Sequence, residues 1–341
     1  MAIAISGSVV REDGIRGRFP AVCANDHRLI VEVHQPLGRS ILRYAVGRIS
    51  DNLSVRWQGA NELGSGTYAH VALNDQNTVI EVHERSSFSR KVCYRVGVLN
   101  PETDVIDWDE DGTELGWGRY PAVALSNEDI VVVVYESAFP GTYRTFYRIG
   151  RIVTNTDGGR KRIGTWTPER RLFHERVNEL SLAMNQNGCI VAAGRRRSHQ
   201  ICLSVGNLLR VEDTDTYSIN WSAAQTHPHS VGCHPAVSID EHGYVVLVQQ
   251  TFLGRQLFYQ VGKVNQDQTE IRLGDRRNYD TGCNPTIALC NDHKFVEEHE
   301  TNFSFPHGNR LFYHVGNIHC INEDNNLHDE EDEEEEGEHQ E

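Results

Sequence analysis

Three short segments of the chain carry a glutamate and a histidine two residues apart: Glu32 and His34, Glu81 and His83, Glu297 and His299. Residues two apart on a strand share a face. Each pair can therefore set a carboxylate against an imidazole, which orients the ring for acid–base work or ligand binding. A second group of segments places side chains with binding chemistry just before a proline or its equivalent. They read Gly17-Arg18-Phe19-Pro20, Gly66-Thr67-Tyr68-Ala69, Gly118-Arg119-Tyr120-Pro121, Gly232-Cys233-His234-Pro235 and Gly282-Cys283-Asn284-Pro285. An aromatic ring can stack on a sugar face while a neighbouring guanidinium holds hydroxyls or an anion. The candidate ligand-binding residues are Arg18, Phe19, Tyr68, Arg119, Tyr120 and His234, with His34 and His299; the catalytic candidates are Glu81, His83 and Tyr135. Each set also has a plainer explanation: a rigid turn with a packed ring, and a repeated hydrogen bond inherited by duplication.

Other chemistries find little support. A metal held by His34, His83 and His299 would require side chains from separate repeats to converge near an axis. The eight cysteines form no C-x-x-C pair, so neither a metal nor a cofactor is expected, and free thiols in a reducing compartment are. Asn155-Thr156-Asp157-Gly158-Gly159 is a poor match to a sialidase Asp box, since its first position fails and Trp166 lies too far on. There is no Gly-x-Ser-x-Gly elbow and no Walker loop.

The elements that must position these residues come from a repeat. Pro121-Ala-Val-Ala-Leu125 has counterparts beginning at Pro20, Ala69, Leu180, Pro235 and Pro285, at intervals of 49 to 59 residues. Eleven residues after each start a second element begins. Its copies are Val31-Glu-Val-His-Gln35, Ile80-Glu-Val-His-Glu84, Val132-Val-Val-Tyr-Glu136, Val191-Ala-Ala-Gly-Arg195, Val246-Leu-Val-Gln-Gln250 and Val296-Glu-Glu-His-Glu300. A third element, Tyr-x-Val-Gly, ends at Gly47, Gly97, Gly150, Gly206, Gly262 and Gly316, with Leu203 replacing tyrosine in the fourth copy. A fourth carries Trp57, Trp108, Trp166 and Trp221, with Leu273 in the fifth. These elements are short, β-branched or aromatic, and bounded by turn residues, which predicts strands; no window holds a helical period. Four strands repeated six times predict an all-β, six-bladed β-propeller.

The sixth copy lacks a fourth strand after Gly316, and the chain begins with an unassigned apolar run, Ala2-Ile-Ala-Ile5. That N-terminal strand is expected to complete the last blade and close the ring, removing an open edge. The predicted propeller covers residues 1–320, with repeats starting near 17, 66, 118, 177, 232 and 282. Copy four departs most, lacking the Gly-x-x-Pro lead-in and carrying Arg195-Arg196-Arg197. Residues 321–341 are expected to be a disordered acidic tail.

That tail dominates the net charge of −15: residues 323–341 hold twelve acidic residues and no lysine or arginine, leaving the remainder near −3. A nearly neutral body gives no global attraction to nucleic acid or an anionic membrane, so neither is an expected partner. No 18-residue apolar run and no basic-plus-apolar leader occur, so a cytoplasmic location is expected, with export only by an unconventional route.

Over residues 2–320 the combination of Gly-x-x-Pro-x-Val-Ala-Leu, Val-Glu-Val-His, Tyr-x-Val-Gly and Ile-x-Trp resembles the tandem units of lectin-type β-propellers. The resemblance implies a carbohydrate-binding protein that holds a glycan or other small polar ligand through loops on one face. Two alternatives stand beside it. One is an enzyme of glycosidase or lyase type with a single site over the central channel, using Glu81, His83, Tyr135 and Arg119. The other is a protein–protein scaffold. The sequence leaves the oligomeric state open.

Overall fold

The computed structural model describes residues 2–319 except 6–8, 11–15, 87, 110–111, 139–143, 156–158, 213, 215 and 302–308. The expected acidic tail and the central part of the Asp-box-like segment thus lie outside the described residues. No helix among the described residues is long and apolar enough to cross a membrane.

Six antiparallel sheets form the blades of a β-propeller. The first runs from inner strand Gly17–Ala24 through Leu29–Pro36 and Ile41–Ile49 to an outer strand. The outer strand is broken into Val55–Trp57 and Asn61–Ser65, which pair with successive stretches of the third strand. The other inner strands are Thr67–Leu73, Arg119–Leu125, Val177–Met184, Cys233–Ile239 and Cys283–Leu289. Each inner strand lies against the next, and the sixth against the first, which closes the circle.

The chain ends meet in the last blade. Ala2–Ile5 pairs with Leu311–His319 in the register Ala2 to His319 and Ile5 to Gly316, and Val9–Val10 continues the outer strand opposite Tyr313 and Phe312. The first segment of the chain thus completes the sheet built by its last strands.

The motifs follow from how blades pack. The buried apolar residues form six clusters, each shared by two adjacent blades. In four blades the glycine of Tyr-x-Val-Gly pairs directly with the outer-strand tryptophan. A Cβ at Gly47, Gly97 or Gly150 would come within 2.8 Å of that indole, so the ring needs glycine beneath it. The same indole edges against the tyrosine of the preceding blade: Trp57 on Tyr313, Trp108 on Tyr44, Trp166 on Tyr94, Trp221 on Tyr147, at 5.4–6.0 Å between centroids. Such T-shaped pairs add about 0.5–1.5 kcal/mol beyond their area. Where the tyrosine becomes Leu203, the facing tryptophan becomes Leu273, and both belong to the same cluster.

At the end of the ring where inner strands turn into second strands, a belt of backbone-to-side-chain hydrogen bonds runs full circle. The N–H of Asp26 donates to Asp75, Asp75 to Asn127, Asn127 to Gln186, Gln186 to Glu241, Glu241 to Asn291, and Asn291 back to Asp26, at 2.5–3.0 Å.

Deleting residues 1–8 exposes the outer edge of blade six and is expected to lower the thermal midpoint by about 5 °C or more. A differential scanning calorimetry trace unchanged by the deletion contradicts this closure. Gly97→Ala is expected to destabilise by about 1–3 kcal/mol in chemical denaturation, because the added methyl meets Ile106 and Trp108.

Candidate functional site

At the opposite end from that belt, the six inner strands begin around a cavity of about 400 Å³ on the ring axis. Each strand sends one residue of the same repeat position to its wall: Phe19, Tyr68, Tyr120, Glu179, His234 and Asn284. All six have φ between 48° and 52° although none is glycine. The cause is a bulge repeated in every blade, where pairing with the second strand skips from Arg18 to Ala21, Thr67 to His70, Arg119 to Ala122, Asn178 to Ser181, Cys233 to Ala236 and Cys283 to Thr286. A left-handed non-glycine residue costs on the order of 1–3 kcal/mol and persists only where its surroundings hold it.

The neighbouring blade supplies much of that hold. The N–H of Tyr120 donates to Glu84 at 2.8 Å, that of Asn284 to Gln250 at 3.3 Å, and that of Phe19 to Glu300. These acceptors occupy the fifth and last position of the second repeated element, just after the histidine position. In blade four that position is Arg195, and Glu179 takes over, receiving the His234 N–H at 2.7 Å while Arg195 pairs with it at 2.6 Å.

The wall is asymmetric. Blades one to three present an aromatic arc, with Phe19 and Tyr68 ring centroids 4.5 Å apart, Tyr68 and Tyr120 4.8 Å apart, and the Arg119 guanidinium 5.3 Å from the Tyr120 ring. Blades three and four contribute charge: Arg119 paired with Glu136 at 3.1 Å, Arg195 with Glu179, and Arg176. Burial raises the Glu136 pKa, with Arg119 opposing, whereas Glu179 ends below its ordinary value because Arg195 and His234 outweigh its burial. Burial takes His70 down to about 4, so it is neutral at pH 7 and its Nδ1 accepts the Val123 N–H at 3.4 Å. Burial also pushes Glu84, behind the wall, up to about 7. Farther down the axis the channel narrows to about 100 Å³, where the inner strands carry small residues such as Ala72, Ala124, Ala183 and Ser238.

Five of the residues proposed from sequence therefore line one cavity: Phe19, Tyr68, Arg119, Tyr120 and His234. Arg18 is outside the lining and near Glu300, whose pKa it helps lower against burial. The Glu-x-His pairs do not reach the wall. Each is buried, with imidazole Nδ1 on its glutamate at 2.9 Å in Glu32–His34, 3.0 Å in Glu81–His83 and 3.1 Å in Glu297–His299. These rings pack against the lead-in glycine: a Cβ at Gly17 would stand 2.7 Å from His34, and one at Gly66 2.7 Å from His83. Tyr135 fills the same place behind Gly118 and donates its hydroxyl to Glu169. In blade four the sizes are exchanged, with Val177 in the glycine position packed against Gly194 in the histidine position. Not among the named candidates were Glu136, Arg176, Glu179, Arg195, His70 and Asn284, all of which line the cavity. A signal for Glu136 and Arg195 was present in the last position of the second element.

No protein-family model matches the chain, and no curated protein is significantly similar to it. Solved structures do share its architecture. A protein of unknown function from Dyadobacter fermentans superposes with TM-score 0.58 at 11% identity, covering 93% of this chain and 99% of that one. A sialidase from Streptococcus pneumoniae gives 0.57 at 10%, covering 93% and 70%. An α-L-arabinanase from Penicillium chrysogenum, complexed with arabinobiose, gives 0.55 at 10%, covering 92% and 98%. At these identities the likeness establishes the fold.

Two expectations follow from the buried pairs. Burial opposes a charge on His83, but Glu81 overrides it and holds the folded pKa at about 9, above the ordinary 6.5. Protonated His83 therefore stabilises the fold fully below pH 6.5, and this contribution fades as pH rises through 9. Denaturation between pH 7 and 10 should show a loss of about 1–3 kcal/mol that His83→Gln removes; an unaltered profile in the variant refutes the pairing. Gly194→His should be strongly destabilising alone, and Val177→Gly/Gly194→His should recover much of the loss in a double-mutant cycle.

Proposed function

We propose that the axial cavity binds a small saccharide. The observation carrying this reading is that one cavity of about 400 Å³ sets a contiguous aromatic arc, Phe19, Tyr68 and Tyr120, beside the charged side chains Arg176, Glu179 and Arg195. A sugar ring offers both an apolar C–H face for the rings and a rim of hydroxyls for guanidinium and carboxylate groups. The volume is in the range of small-molecule sites. Similarly folded proteins that act on or hold sugars, a sialidase and an arabinanase with arabinobiose, agree with this ligand class.

A second reading, glycoside hydrolysis, is favoured by Glu136. This carboxyl lines the cavity, and its raised pKa keeps a proton available closer to neutral pH, as a general acid requires.

Glycan-array screening followed by calorimetry tests the binding reading. Tyr68→Ala is expected to weaken the best ligand by about tenfold or more, equivalent to about 1.4 kcal/mol. Absence of any glycan ligand, or full affinity in the variant, removes it. Incubation with nitrophenyl glycosides separates the second reading: turnover abolished by Glu136→Gln with binding retained supports hydrolysis, and no turnover on any substrate leaves the protein a binder.

A further inference from the structure

Away from the axis, where blade five meets blade six, three side chains with metal-binding chemistry converge. Asp280 lies on the outer segment Arg277–Thr281 of blade five, His299 on Lys294–Glu300 and His314 on Leu311–His319 of blade six. One potential ligand atom from each falls within 4.8 Å of the others. The Asp280 Oδ2 is 2.8 Å from Nε2 of His314 and 3.6 Å from Nε2 of His299.

We propose that Asp280, His299 and His314 bind a divalent transition-metal ion of the zinc type. Tetrahedral zinc with bonds near 2.0–2.1 Å sets its ligand atoms about 3.3 Å apart. The two Asp280 separations bracket that value and all three ligand atoms lie within 4.8 Å of one another, so side-chain adjustment without movement of the strands can bring them to an ion. An outer shell is also in place. Nδ1 of His299 is held by Glu297 at 3.1 Å, which leaves Nε2 directed at Asp280, and Glu297 in turn accepts the Tyr279 hydroxyl at 2.8 Å. A carboxylate behind a ligating imidazole fixes its orientation and raises its basicity. Both histidines are buried, while the Asp280 side chain is 24% exposed, giving an ion a route from solvent. Three protein ligands leave a fourth position for water. The ion would tie blade five to the second and third strands of the blade that closes the ring.

The neighbouring interface shows what these positions hold without such chemistry. There Ser230 stands where Asp280 does, Gln260 stands where His314 does, and the serine hydroxyl meets the amide oxygen at 2.6 Å. The double variant Asp280→Ser/His314→Gln therefore installs a pair the fold already accommodates.

Full-length protein stripped with EDTA is titrated with Zn²⁺ by calorimetry and melted with and without the ion. Wild type is expected to bind one ion that raises the thermal midpoint; the double variant is expected to melt near the stripped wild type and lose both effects. Weak binding by the acidic C-terminal residues is common to both proteins and cancels. His242→Ala, which removes a different histidine close to His293, should leave both effects intact. Cobalt provides a readout needing no variant, since ligation by His and Asp gives visible d–d bands. No cobalt bands in wild type, equal zinc binding in wild type and double variant, or loss of binding in His242→Ala would each overturn the assignment.

Discussion

Closure of the ring is the constraint from which the rest of the structure follows. A single four-stranded sheet of this chain has apolar residues on both faces and cannot cover them by itself. Each of the six core clusters exists only because two blades meet. Covering the last exposed face requires blade six to reach blade one, and the chain achieves this by lending its first strand to its last sheet. The hydrogen-bond belt through Asp26, Asp75, Asn127, Gln186, Glu241 and Asn291 reflects the same circularity, each turn being held by the next. The cavity is a further consequence, because its wall takes a residue from every blade.

Within this near-symmetric frame the wall is not symmetric. The repeated bulge turns one residue per blade toward the axis whatever its chemistry, so drift at that position changes the cavity without changing the backbone. Blade four shows how far such drift can go. Its strand-end carboxylate has become Arg195, its bulge residue Glu179 supplies the missing acceptor, and the Gly/His packing has been inverted to Val177/Gly194. These exchanges keep the blade intact while gathering charge on one side of the axis, next to the end of the aromatic arc.

The repeat, the blade number and the joining of the ends were legible because packing leaves a regular trace: glycine under each indole, tyrosine facing the next tryptophan, small residues along the channel. The Arg–aromatic segments were legible as site candidates for the same reason, being in register with the repeat. The bulge was not. Phe19, Tyr68, Tyr120, Glu179, His234 and Asn284 have no common chemistry, and a left-handed backbone at non-glycine residues carries no marker in sequence. The Glu-x-His pairs show the limit of parity arguments: alternation placed each pair correctly on one face but could not say that the face packs against a lead-in glycine rather than the axis. Asp280, His299 and His314 escape notice because three strands of two blades, not a spacing motif, bring them together.

Native-state hydrogen exchange read by mass spectrometry tests the closure most directly. If Ala2–Ile5 truly completes the sixth sheet, its hydrogen-bonded amides exchange only with the opening of that blade, at protection comparable to Leu311–His319. Exchange of this segment at the rate of an unstructured peptide, with the six sheets still protected, would contradict a ring closed by the chain's own ends.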